Sequence, residues 1–214
     1  MPRARQDLAG PPVFVFDFGG VVIKWRNNSP IFDSIADRYG VPRGKMREAL
    51  ADSLPRLEAD EVSIRDYLEE ALGAFGKRLR KGDSPDELWV EPFERLVKFR
   101  LGTVRVVESL RRRGFRVYLF SNTSIPHAAF VRRMGWDKMF DGFATSCEIR
   151  IMKPKAEAFR RALAQFKADK SRVVYVDDRA DNVEGAKKFG IKWAFRFTTV
   201  AQLRKDLAPF ARTS

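Results

Sequence analysis

Four places in this chain put a reactive side chain where a buried strand ends. Asp17 follows the unbroken apolar run Val13, Phe14, Val15, Phe16 and is itself followed by the pair Gly19 and Gly20. Ser121, Asn122 and Thr123 follow FRVYLF, Lys153 stands before Pro154 at a helix start, and Asp177-Asp178 follow VVYV. In open α/β sheets the functional crevice lies outside the carboxyl ends of the strands, so these groups are expected to meet at one edge. Taken alone, Asp17 reads equally well as a turn cap; the other three stretches make it chemical. Two or three carboxylates converging on one crevice raise one another's pKa unless a divalent cation holds them ionised. Oxygen ligands without sulfur or imidazole point to Mg²⁺, which takes one or two carboxylates and completes its shell with water and substrate phosphate. Beside such an ion Asp17 can act as a nucleophile on phosphorus. Ser121 would offer a hydroxyl to a phosphate oxygen, and Lys153 a point charge for the excess negative charge. Lys153 faces a helix N-terminus that is already positive, which favours an anion alongside it.

The elements that must position these groups follow from the apolar pattern. A run such as VFVF, with no polar alternation, fits a strand covered on both faces, as in a parallel sheet. Similar strands are expected at 115–120, within 140–149, at 173–176 and at 191–195, with helices between them and a last helix at 200–207. Between residues 30 and 99 the pattern is helical and contains no strand. Ile31, Phe32, Ile35, Ala36 and Tyr39 form a stripe closed by Gly40, and Ser63 with Asp66 forms a capping box ahead of Tyr67, Leu68, Ala71, Leu72 and Phe75. A further stripe runs through Leu88, Phe93, Leu96, Val97 and Phe99. The expected organisation is an arm at 1–12, a Rossmann-like α/β core at 13–23 and 101–214 with helices on both faces of a parallel sheet, and an α-helical cap at 24–100. Trp25 and Arg26, at the exit from the first strand, read as substrate contacts or as hinge packing.

The chain has 214 residues, 44% of them hydrophobic, enough for one such core and a small insertion. No apolar run nears the roughly 20 residues that cross a bilayer, and the first twelve residues lack a signal-like apolar centre, so a cytoplasmic protein without membrane attachment is expected. A single cysteine, Cys147, excludes an internal disulfide and a thiolate metal cluster. The net charge is +13, yet residues 24–100 hold 15 basic and 15 acidic residues, so the rest of the chain carries all of the excess. A basic body suits an anionic substrate. Nucleic acid is a minor candidate, since no recognition motif accompanies the charge.

The four stretches together resemble the haloacid dehalogenase-like superfamily, made mostly of phosphatases, and the likeness covers about two-thirds of the chain in the right order. FDFGGVV resembles the first family motif, YLFSNTS the second, Lys153 before Pro154 the third and YVDDRADNVEGAKKFGI the fourth. The last is similar to the form found in bacterial sugar-phosphate phosphatases and in the phosphatase-like domain of some epoxide hydrolases. The resemblance implies Asp17 as nucleophile, Ser121 and Lys153 as catalytic partners, and Mg²⁺ held by Asp17, the Gly19 carbonyl and Asp178, with Asp177 through water or as a second ligand. It implies Asn182 in support, Gly19, Gly20, Asn122, Trp25 and Arg26 toward substrate, and a type-1 helical cap. The implied reaction is release of phosphate from a small phosphorylated metabolite, most plausibly a sugar phosphate, through an aspartyl-phosphate.

One departure stands out. Most such phosphatases carry a second Asp two residues after the nucleophile as general acid, and here that position is Gly19; help of that kind is typically worth about 10² to 10⁴ in rate. This keeps alive a non-catalytic phosphate-binding or protein-interaction module on the same scaffold. A 2-haloacid dehalogenase is disfavoured by the acidic pair Asp177-Asp178. A phosphonate hydrolase would need a cap lysine, for which Lys24 and Lys45 are available. Monomer and homodimer are both compatible with the sequence.

Overall fold

The computed structural model describes residues 10–25 and 27–211; Arg26 and residues 1–9 of the anticipated arm lie outside them. Strand β1 (Val13–Phe16) is buried at every position. Phe14 and Phe16 enter one apolar cluster, Val13 and Val15 the other. An alternating strand therefore looks continuously apolar because both of its faces are covered. With β2 (Arg116–Ser121), β3 (Phe143–Thr145), β4 (Val173–Asp177) and β5 (Trp193–Arg196) it forms a parallel sheet in the order β3-β2-β1-β4-β5. The order reverses between β1 and β4. That switch point opens a crevice at the carboxyl ends of the two strands, where Asp17 and Asp177 emerge.

Helices α1 (Ser29–Tyr39), α2 (Arg43–Glu58), α3 (Ile64–Gly73) and α4 (Pro85–Leu96) follow β1 without an intervening strand. Gly40, at φ +64°, closes α1, and the Ser63 hydroxyl accepts the Asp66 N–H at 3.1 Å to start α3. The long α2 has no clear sequence stripe, because only Met46, Leu50 and Leu57 of its sixteen residues are buried. The last stripe breaks at Leu96, after which residues 98–100 pair with the exit from β1. Lys24 N–H donates to Lys98 O at 2.7 Å, Arg100 N–H to Val22 O at 2.8 Å, and Ile23 bridges Phe99. The helical segment thus departs from the sheet and rejoins it through neighbouring backbone.

Helix α5 (Leu101–Arg112) covers one face of the sheet together with α10 (Val200–Leu207), through Val107, Leu110, Leu203 and Leu207. On the other face lie α8 (Ala156–Phe166) and α9 (Ala180–Phe189), through Phe159, Leu163, Val183 and Ala186. Helix α6 (Ile125–Arg133) follows β2, and the short α7 (Ser146–Ile149) follows β3. The hydrogen bonds that tie the helical segment to the sheet domain include Trp89 Nε1 donating to Ser124 Oγ at 2.9 Å and Ser146 Oγ to Glu58 O at 2.6 Å. Among the described residues no helix is long and apolar enough to cross a membrane.

Candidate active site

The site is built where β1 and β4 end. The Asp17 N–H donates to Val176 O at 2.8 Å, extending the ladder one residue beyond the strand and fixing the direction of the carboxylate. The chain then turns sharply, with the amides of Val22 and Ile23 both donating to Phe18 O. Gly20 makes that turn at φ +73°, and a Cβ there would lie 2.1 Å from Asp178 Oδ2. Only glycine allows the backbone to pass so close to the second acid of the pair. At Gly19 a Cβ would sit 3.0 Å from the Trp25 carbonyl, so the folded turn is crowded at this position.

Lys153 is the cation of the site. Its Nζ, on a side chain with no exposed surface, donates to Asp17 Oδ1 at 2.7 Å, to Asp177 Oδ2 at 2.9 Å and to Phe120 O at 2.8 Å. Three acceptors satisfy its three protons. Burial works against the charge, but Asp17 and Asp177 outweigh it and hold the ammonium pKa above its ordinary value. The lysine backbone is held as well, since Lys153 N–H donates to Asn122 Oδ1 and Asn122 Nδ2 donates to Lys153 O, both at 3.0 Å. Asn122 is therefore occupied in placing Lys153. Ser121 Oγ contacts the Asn122 carbonyl at 3.3 Å.

Asp177 is fully buried and its oxygens are heavily used. They accept from Lys153 Nζ, from Asn182 Nδ2, from the Arg179 N–H at 2.9 Å and from the Tyr175 hydroxyl. This arrangement makes Asp177 an anchor for Lys153 and Asn182. Asn182 Nδ2 faces a carboxylate, which fixes the orientation of the amide and leaves Asn182 Oδ1 buried with no hydrogen-bond partner among the described residues. Burial raises the Asp17 pKa to about 7, with Lys153 opposing and Asp177 and Asp178 adding to the rise.

Carboxylate oxygens of Asp17, Asp177 and Asp178 lie within 4.8 Å of one another, and two of these acids, Asp17 and Asp177, accept from the one ammonium. The donor set is all oxygen, a turn without Cβ makes room beside it, and an orphaned amide oxygen lies at its edge. These features fit a hard divalent cation such as Mg²⁺ and its water ligands.

A cavity of about 480 Å³ opens from this cluster toward the helical segment. Asp17, Gly19, Trp25, Ser121, Asn122, Lys153, Asp178 and Asn182 all line it, while Gly20 and Asp177 stand behind the lining and Arg26 is outside the described residues. Trp25 donates from Nε1 to Asn28 Oδ1 at 3.1 Å and stacks edge-on to Phe93. Two lining residues, Glu58 and His127, carry no sequence motif, and Phe32, Phe93 and Arg179 are given no site role by the motifs or stripes that contain them. Glu58 ends the helix whose stripe is weakest, and the lone His127 sits in an apolar pattern. Neither Lys24 nor Lys45 lines the cavity, and Lys45 is exposed in a 3.3 Å ion pair with Glu48. The lining thus supplies no second lysine for Schiff-base chemistry among the described residues.

A family model described as haloacid dehalogenase-like hydrolase matches residues 11–190. Over 182 residues the chain is 25% identical to the sesquiterpene phosphatase of Aspergillus oryzae, covering 83% of this chain and 85% of that one. It is 23% identical over 188 residues to the phosphorylated carbohydrates phosphatase of Thermotoga maritima, covering 83% and 81%. A haloacid dehalogenase-family enzyme of Bacteroides thetaiotaomicron shares the fold at a TM-score of 0.71 and 19% identity, over 88% of this chain and 94% of that one. The same enzyme in complex with magnesium and inorganic phosphate matches at a TM-score of 0.69 and 18% identity, over 88% and 95%.

Proposed function

Since the chain belongs to the haloacid dehalogenase-like hydrolase family, we propose that it is a Mg²⁺-dependent phosphatase that passes through a phosphoaspartate at Asp17. The observation that carries this reading is Lys153 Nζ bridging Asp17 and Asp177, with Asp178 in the same carboxylate cluster and a cavity of about 480 Å³ in front of it. Asp17, Asp178 and the Gly19 carbonyl are the groups that would hold the metal. When bound, the ion supplies positive charge that lets an anionic carboxylate meet an anionic phosphoryl group.

The rest is done by the chain. Lys153 holds the Asp17 carboxylate through Oδ1, leaving Oδ2 as the oxygen that would attack phosphorus. Ser121 Oγ and the Asn122 amide bind the phosphoryl oxygens, the Thr123 amide being committed to Ser146 Oγ at 2.9 Å. Asp177 and Asn122 hold Lys153 in place by side chain and by backbone, and the helical segment 24–100 acts as a cap that encloses the ester and limits the access of water. The organic part of the substrate then lies against Trp25, Phe32, Leu54, Phe93 and Val131. That wall favours a small phosphomonoester with an apolar or amphipathic alcohol. A sugar phosphate is the second reading, favoured by Asn27, Ser29 and Thr123 on the same lining. The names of the two curated relatives, one a sesquiterpene phosphatase and one acting on phosphorylated carbohydrates, support one reading each.

Phosphate release from prenyl and hexose monophosphates, with Mg²⁺, with EDTA and with Asp17→Asn, tests the proposal. Turnover is expected with Mg²⁺ alone, and to fall to background with chelator or in the variant. Metal-independent turnover, or an Asp17→Asn enzyme as active as the wild type, would overturn the mechanism.

A further inference from the structure

Cleavage of an alkyl phosphate ester expels an alkoxide, and the departing oxygen needs a proton that the nucleophile cannot give. Among the described residues, the ionisable groups lining the cavity are Asp17, Glu58, His127, Lys153, Asp178 and Arg179. Asp17 attacks phosphorus and Asp178 belongs to the carboxylate cluster beside it. Lys153 has all three protons committed to Asp17, Asp177 and Phe120 O. His127 places Nε2 3.3 Å from the Trp89 carbonyl, which only an N–H can approach, so its one proton is engaged away from the cavity. Arg179 does not release a proton in a protein.

Glu58 is left, and its position suits the task. It is the last residue of α2, reaches the cavity from the helical segment and is half-buried. Its backbone is fixed from the core side by Ser146 Oγ, which donates to Glu58 O at 2.6 Å. No hydrogen bond from a described residue reaches its carboxyl, unlike the four donors on Asp177. The charged and titratable groups that act on it are Arg179 and Lys153, with the Tyr67 phenol sensing it in turn.

We propose that Glu58 is the general acid and base of this phosphatase, supplied by the helical segment in place of a group on the β1 turn. This assignment rests on the reading of Asp17 as phosphoryl acceptor. In the first half-reaction Asp17 forms the bond to phosphorus, the ester P–O bond breaks, and the Glu58 carboxyl proton passes to the leaving oxygen, giving the alcohol and a Glu58 carboxylate. In the second, the carboxylate takes a proton from water as its oxygen attacks phosphorus. The bond to Asp17 breaks, phosphate leaves, and both acids return to their starting forms. Burial raises the Glu58 pKa to about 7, with Arg179 and Lys153 pulling it down, so that near neutrality both the proton-donating and the proton-accepting forms are populated. Gly19, at the position on the β1 turn, has no side chain with which to supply the proton.

The test compares an alkyl phosphate with p-nitrophenyl phosphate in wild type and Glu58→Gln, using kcat/KM, which reports the first half-reaction. The alkyl ester needs a proton on its leaving oxygen and the nitrophenolate does not. The variant is expected to lose about 10²- to 10⁴-fold on the alkyl ester and under about 10-fold on the aryl ester. In the alkyl series it should also lose the decline in rate above neutral pH. An equal loss on both esters marks a structural or binding role and overturns the assignment, as does no loss on either. A wild type inactive on both esters would remove the phosphatase reading itself, an outcome distinct from unequal or unchanged rates in an active enzyme.

Discussion

At the scale of single residues, the site is a set of polar groups whose partners decide their roles. Asp177 and Asp178 are adjacent in sequence, yet the first is spent on four donors inside the protein while the second stands on the cavity wall. His127 shows the cost of such placement. It is stacked on Trp89 at 5.7 Å and packed against Phe93, and burial lowers its pKa from 6.5 to about 4. Below pH 6.5 the unfolded chain takes up a proton that the folded ring refuses. The contribution of this residue is therefore complete above 6.5 and is lost as the pH falls toward 4, at roughly 1.4 kcal/mol per unit or about 3 kcal/mol in all. His127→Phe should flatten that part of the profile. Urea unfolding of both proteins at pH 7, 5.5 and 4.5 measures it, and a stability difference that does not change with pH would refute the account. Glu58 acts in the same window with the opposite sign, since its raised pKa makes the folded state bind the extra proton between 4.5 and about 7. Comparing variant with wild type cancels that contribution.

Between elements, the critical contact is that of α9 with the loop carrying Lys153. Gly185 lies so close to this loop that a Cβ would come 2.4 Å from Pro154 O and 2.7 Å from Pro154 Cβ. Both sides of this contact carry site residues: Lys153 on the loop, and Asn182 one turn earlier on the helix. Gly185→Ala must push the two apart, at a cost of about 1–3 kcal/mol in stability. Because the push is directed along the Lys153–Asp177–Asn182 network, kcat/KM should fall by more than the lost folded fraction explains. Gly73, at the end of α3 with nothing within 4 Å of its Cβ position, is the control and should accept alanine with little change. Thermal unfolding together with kinetics on both variants decides the matter. An active, stable Gly185→Ala enzyme would show that the contact can relax.

For the whole molecule, the uneven charge is the main feature. Residues 24–100 balance 15 basic against 15 acidic residues, and the rest of the chain carries the whole excess of +13. Many of the charged groups are paired on the surface, as in Arg43 with Asp37 at 2.7 Å and Arg56 with Glu70 at 2.9 Å, and exposed pairs of this kind add little to stability. The unbalanced remainder acts at a distance. A basic body should draw a dianionic ester toward the crevice, so kcat/KM should fall as salt rises from about 0.01 to 0.5 M while kcat changes little. Steady-state kinetics at constant Mg²⁺ and varied NaCl measures this. Rates indifferent to salt would show that the charge serves something other than substrate capture.

The sheet and the groups at its edge are legible in the chain before it folds. The apolar runs ahead of Asp17, Ser121 and Asp177 mark strands covered on both faces, and strand ends bring those groups together because parallel strands share one carboxyl edge. The long stretch without a strand pattern is the four-helix segment, although α2 left little trace because it buries only three residues. Which polar atoms are already spoken for emerged from the folded chain alone. The residue types of the pair Asp177-Asp178 do not say that one is an anchor and the other faces the cavity, and nothing near Glu58 says that it lines the same cavity as Asp17. Periodicity records which face of an element is buried, a property local to the chain. Partnership between side chains 136 residues apart, as between Lys153 and Asp17, depends on how whole elements dock.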